Sequence, residues 1–108
     1  MDPLAIATSL RELATYQRLE GDTHRARAYD RAAGTVEAVH DLERRIAGGT
    51  LTELPNIGES IAKLIGLLAR TGSAPVLETL RGRWPVTVLE LSRLDGVGVK
   101  KARVLVEV

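Results

Sequence analysis

Apolar residues recur at helical spacing along most of this chain. Ile6, Leu10, Leu13 and Ala14 fall at i, i+4, i+7 and i+8, which places them on one helix face. Asp2 followed by Pro3 supplies an N-cap and a first helical residue, so the pattern predicts a helix to about Leu19. Gly21-Asp22-Thr23 stops it and caps the next, whose stripe is Tyr29, Ala32, Ala33 and Val36 with Arg25, Arg27 and Arg31 around it. A short polar helix from about Asp41 to Ala47 runs into Gly48-Gly49. A further helix from about Glu59 to Arg70 carries Ile61, Leu64, Ile65 and Leu68 on one face, with Thr71-Gly72 as its C-terminal stop. Another spans about Pro75 to Arg81 and ends near Gly82; Pro85 then restarts the chain into Val86 to Leu91. No stretch alternates at period two for long enough to make a sheet. The predicted fold is all-α.

Between these helices one short pattern occurs twice. Leu54-Pro55-Asn56-Ile57-Gly58 leads into Ile61-Ala62-Lys63-Leu64-Ile65, and Leu94-Asp95-Gly96-Val97-Gly98 leads into Lys100-Lys101-Ala102-Arg103-Val104-Leu105. Each reads as a tight hairpin that opens a helix. Gly58, Gly96 and Gly98 are expected at backbone shapes a β-carbon would obstruct. Asn56 stands where the second copy has Gly96, and Asn tolerates left-handed geometry better than most residues. The N–H groups after Gly58, as far as Ser60, and those after Gly98 are then free to meet an anion such as a phosphate. Such contacts do not read bases, so binding is expected to be independent of sequence and sensitive to salt. Glu59 suits the helix dipole but repels phosphate, whereas the second copy offers Lys100, Lys101 and Arg103. The second hairpin is therefore expected to supply more of the electrostatic affinity. A single such turn is equally explained as a helix connection; the repeat favours a binding role.

Composition narrows the classes. With 108 residues, 44% of them apolar, the chain is long enough for one domain, or one domain plus a small annex. There is no Phe, and only Trp84, Tyr16 and Tyr29 are aromatic, so the core must be aliphatic. So few aromatics cannot build a stacking platform for coating single strands. The lack of cysteine removes disulfides and thiolate chemistry, and His24 and His40 cannot make a zinc site alone. No apolar run approaches the ~18 residues of a membrane span, and Met1-Asp2-Pro3 lacks the basic flank of a signal peptide. A cytoplasmic location is the default expectation. The net charge of +1 argues against a polybasic binder, although Arg93 to Val108 is locally positive. The excess of Arg over Lys, with abundant Ala and Gly, suggests a GC-rich bacterial source.

Leu13-Ala14-Thr15-Tyr16-Gln17-Arg18-Leu19-Glu20-Gly21-Asp22, then Arg25-Ala26-Arg27-Ala28-Tyr29-Asp30-Arg31-Ala32-Ala33, closely resembles the N-terminal region of family X DNA polymerases, bacterial members especially. So does Leu54-Pro55-Asn56-Ile57-Gly58-Glu59-Ser60-Ile61-Ala62 with Thr71-Gly72 after it. The resemblance covers nearly the whole chain. It implies a compact helical domain over residues 1–83, like the polymerase-beta N-terminal domain, with the first helix-hairpin-helix motif. Residues 84–108 would carry the second motif and begin the next subdomain. It further implies binding to gapped, nicked or duplex DNA in repair, with no membrane, by a monomer or by part of a longer polymerase chain. The last helix reaches Val108 without a cap, which reads as a natural end or as a fragment of something longer.

Carried over by position, Arg25 would be a 5′-phosphate ligand, Tyr29 would line the same pocket and His24 would face a template base. Each hairpin would hold a monovalent cation, Na⁺ or K⁺, through backbone carbonyls of Thr52, Leu54 and Ile57, then of Ser92, Leu94 and Val97; no other cofactor is required. Each carried role has a plainer rival: Tyr29 lies on the apolar stripe and reads equally as core, Arg25 as a solvated arginine, His24 as a surface or capping residue. Animal repair members of the family remove a sugar-phosphate remnant through a lysine Schiff base. That lysine's position is Leu64 here, and Thr52 and Ser60 stand at two more of their lysine positions. Lys63 is a poor substitute, about 100° around the helix. No catalytic residue is assigned. Polymerase chemistry needs clustered carboxylates for two metal ions; the chain has no Asp-x-Asp pair and lacks the palm domain. A lyase working through Lys63, and a helical protein-interaction domain that has lost DNA binding, remain the competing readings.

Overall fold

The computed structural model describes residues 2–84. They form five α-helices and one short 3₁₀ helix, with no strand among the described residues, as the patterning predicts. Helix α1 spans Pro3–Leu19, α2 Thr23–Ala38, α3 Leu42–Gly48, α4 Glu59–Thr71 and α5 Pro75–Arg83; the 3₁₀ turn is Leu51–Glu53.

Local chemistry sets the ends. Asp2 Oδ1 accepts the Ala5 N–H at 2.8 Å with Pro3 in the first turn. Asp22 Oδ1 accepts the Arg25 N–H at 3.0 Å. Gly21 at φ 87, Gly49 at φ 69 and Gly72 at φ 79 turn the chain out of α1, α3 and α4, in the left-handed conformation that a Cβ disfavours. Helix α5 ends near Gly82 as expected, taking that glycine in and closing at Arg83. Glycine weakens a helix interior by only about 1 kcal/mol relative to Ala, and Leu77, Leu80 and Trp84, all buried, hold the segment down.

Helix α1 is the centre of the bundle, packed along α2 and touching α4 and α5. Its buried face is wider than the predicted stripe: Ile6, Ala7, Leu10, Leu13, Ala14, Tyr16 and Leu19 are all buried, and so are Ser9 and Gln17. A helix covered from three sides needs that width. Arg11 pairs with Glu37 and Arg18 with Asp30 across the α1–α2 seam. From the far side Ile65 and Leu68 of α4, Leu77 of α5 and Val36 of α2 complete an aliphatic core, with Leu51 and Ile57 anchoring the loop that leads into α4.

Candidate nucleic-acid interface

The loop between α3 and α4 is built from the residues singled out in the first hairpin. Leu54, Pro55, Asn56 and Ile57 form a turn with Pro55 second and Asn56 third, closed by the Ile57 N–H donating to Leu54 O at 3.4 Å. Asn56 is the one non-glycine residue at positive φ among the described residues, at 66°. Proline followed by a left-handed residue defines a type II turn, so Asn56 adopts the left-handed geometry expected of it. Ile57, 4% exposed, pins the turn to the core.

Gly58 requires a correction. It is the N-cap of α4 with φ −87 and ψ 179, a conformation open to any residue, and an added Cβ would meet nothing within 4 Å. The fold therefore does not demand glycine at this position; the backbone strain expected of it falls on Asn56. What Gly58 leaves is an uncovered approach to the start of α4. The first helical bond there is Ala62 N–H to Gly58 O at 2.9 Å, no side chain caps the end, and the N–H groups of Glu59, Ser60 and Ile61 lie before it.

Two adjoining clefts flank this helix start and share Tyr29. One, of about 450 Å³, is lined by His24, Arg25, Ala28, Tyr29, Ser60, Ile61 and Val76. The other, of about 530 Å³, continues from Tyr29 past Glu59, Ser60, Lys63 and Leu64 to Pro75 and Val76. Four expected site residues, His24, Arg25 and Tyr29 of α2 and Ser60 of α4, are thus brought together. Tyr29 packs against the core and also lines the clefts; burial pushes its hydroxyl pKa up. Arg25 is exposed, with Nε 3.8 Å from Asp22 Oδ2. A loose exposed pair of this kind contributes little, so the guanidinium keeps most of its capacity to pair with an anion. Leu64 is 7% exposed and belongs to the core, while its neighbour Lys63 is exposed and lies on the same cleft.

Sequence reasoning missed four contributors. Val76, an exposed apolar residue, and Pro75 form the far wall from the start of α5, which no local signal connects to α2. Arg31 and Thr35 border a third groove, of about 490 Å³, between α2 and the turn at Pro55 and Asn56. Thr35 also bonds to the turn directly: its hydroxyl donates to Pro55 O at 3.1 Å, and Asn56 Nδ2 donates to Thr35 Oγ1 at 3.3 Å.

No three His, Cys, Asp or Glu side chains gather to hold a metal ion among the described residues. Leu54 and Ile57 could serve a cation only by their carbonyls, Thr52 also by its hydroxyl, and Leu54 O accepts the long bond from Ile57 among the described residues. The expected contributions of Ser92, Leu94, Gly96, Val97, Gly98, Lys100, Lys101 and Arg103 lie outside the described residues. No helix among the described residues is long and apolar enough to cross a membrane.

A family model of the helix-hairpin-helix domain matches residues 1–74, which takes in the hairpin, both helices around it and the α1–α2 pair beneath. The chain belongs to the helix-hairpin-helix domain family. No curated protein matches it in sequence. Helix-hairpin-helix domains commonly bind DNA without sequence preference. The helix-hairpin-helix unit here is α3, the turn at Asn56 and α4, with α2 as its support.

Proposed function

We propose that this chain is a DNA-binding module that holds the phosphate backbone at gaps, nicks or 5′ ends during repair, as part of, or derived from, a family X DNA polymerase. The observation that carries this reading is the convergence of Arg25, His24, Tyr29 and Ser60 beside the uncapped start of α4. Backbone N–H groups at a helix start and a nearby guanidinium are complementary donors for phosphate oxygens. A cleft whose wall includes an aromatic ring gives a terminal nucleotide a surface to lie on, as a continuous backbone would not need.

A monovalent cation fits this arrangement. Neutral carbonyl oxygens suit Na⁺ or K⁺, and Leu54 O retains acceptor capacity. Held by Thr52, Leu54 and Ile57, the ion would add positive charge next to a phosphate and offset Glu59. It has no other part in the chemistry.

Fluorescence anisotropy with intact duplex, nicked duplex and gapped duplex bearing a 5′-phosphate, each at two salt concentrations, tests the proposal. Affinity on intact duplex should fall in the ~10⁻⁴–10⁻⁶ M range of non-specific backbone binding at physiological salt. With roughly three phosphates neutralised, log K should fall with log salt at a slope of about −2 to −3. Tighter binding to the phosphorylated gap supports end recognition. Equal, salt-sensitive binding to all three leaves a general backbone clamp, and no binding at low salt defeats the proposal.

A further inference from the structure

We propose that Thr35 of α2 is a positioning residue for DNA binding: it locks the Leu54–Ile57 turn in the shape that presents the start of α4. The inference rests on the DNA-backbone reading above. The turn stands on an unusual residue choice. At φ 66 a side chain is disfavoured, and the second copy of the pattern has Gly96 at this place, yet Asn56 holds it in the first. Asn56 is not left to hold it alone. Its amide reaches across to α2 and donates to Thr35 Oγ1, and the same hydroxyl donates onward to Pro55 O. One hydroxyl thus engages both central residues of the turn, using its single donor and one of its lone pairs.

The consequence for binding follows from what adjoins the turn. Ile57 and Gly58 connect it directly to Glu59, Ser60 and Ile61, whose N–H groups must point together if they are to meet one phosphate. A turn that samples other conformations would bind with an affinity reduced by the fraction of time it is correctly shaped. Thr35 itself lies in the groove on the Pro55–Asn56 side, not in the cleft with Arg25 and Ser60. It therefore acts through the turn.

The test is a ¹H–¹⁵N NMR titration of the full chain with a short duplex, following the Glu59, Ser60 and Ile61 amides so that affinity is read at this hairpin. Thr35→Val removes the hydroxyl, and with it both exposed hydrogen bonds, at similar volume and should weaken binding by about threefold to tenfold. Its log–log salt slope should stay that of the native chain, because no cation is lost. Thr35→Ser should restore affinity to within about twofold. Asn56→Gly removes the side chain that needs the support, so adding Thr35→Val to it should cost less than about twofold. Native affinity in Thr35→Val overturns the lock. A loss that persists undiminished beside Asn56→Gly means that the hydroxyl does not act by supporting Asn56, and also overturns it. Native amides that do not respond to DNA instead overturn the DNA-backbone reading, and the lock with it.

Discussion

Arg81 and Glu12, 69 residues apart in sequence, meet in a bidentate pair that fastens α5 to α1. Arg81 Nε lies 2.8 Å from Glu12 Oε2 and Nη2 lies 2.9 Å from Oε1. The Tyr16 hydroxyl donates to the same Oε2 at 2.9 Å. Two donors of different helices therefore depend on one carboxylate that is only 16% exposed, and α5 in turn carries the Pro75–Val76 wall of the cleft.

Glu12→Ala should therefore destabilise the fold by about 1–3 kcal/mol, the usual cost of leaving part-buried donors unpaired. For a domain of this size that lowers the melting temperature by roughly 4–8 °C per kcal/mol, measurable by circular dichroism. An unchanged melting temperature would show that water replaces the carboxylate freely.

Alkaline pH should act through the same cluster. Burial, then the hydrogen bond and charge of Glu12, push the Tyr16 pKa from 10.0 up to about 12. The folded state thus holds the phenolic proton more tightly than the unfolded chain. Its contribution is complete below pH 10 and is lost as pH rises from about 10 to about 12. Melting temperatures across this range should fall for the native chain and fall less for Tyr16→Phe.

Gly58 and Gly72 should part company on substitution by alanine. Gly58→Ala meets no neighbour and no forbidden angle, so its stability cost should be that of alanine's poorer N-capping alone, roughly 0.5–1 kcal/mol. Its methyl would stand where a phosphate approaches, and duplex affinity should drop by about threefold or more, an order-of-magnitude expectation for one hindered charge-assisted contact. Gly72→Ala, at φ 79, should cost roughly 1 kcal/mol of stability and leave affinity alone. Melts and anisotropy on the two variants separate these outcomes.

Arg25→Gln should remove one phosphate contact, flattening the salt slope by about one unit and reducing any preference for a 5′-phosphorylated gap. Lys100→Ala with Lys101→Ala should flatten it by about two units on plain duplex, if the second hairpin carries more of the charge. An unchanged slope in the lysine variant would reverse the ranking of the hairpins.

What could be read in advance follows from the range of each interaction. Asp2–Pro3, Asp22, Gly49 and Gly72 act within a turn of their own helix, and so the limits of α1 and α4, the start of α2 and the end of α3 were legible to within a residue or two. Asn56 was legible because its alignment with Gly96 named the conformation it must adopt. Gly58 was misjudged because glycine can be placed for the backbone's own geometry or for something that approaches it, and only coordinates separate the two. The tie from Thr35 to Asn56 spans 21 residues and that from Arg81 to Glu12 spans 69. Neither leaves a periodic trace, since pairings between helices depend on how the helices are stacked. The resemblance set Arg25, Tyr29 and the Ser60 position about one pocket, but the share of α5, through Pro75 and Val76, was not foreseen.

Trp84, at the end of α5, is 9% exposed and is the sole tryptophan of the chain. Its indole packs within the same core as Leu77 and Leu80, and its Nε1 is buried with no hydrogen-bond partner among the described residues. The protein thus carries an intrinsic optical reporter at the one helix that ties the cleft wall to the central bundle. Emission should shift to longer wavelength when α5 detaches, and a DNA end that draws Val76 inward should alter it while the rest of the bundle stays folded.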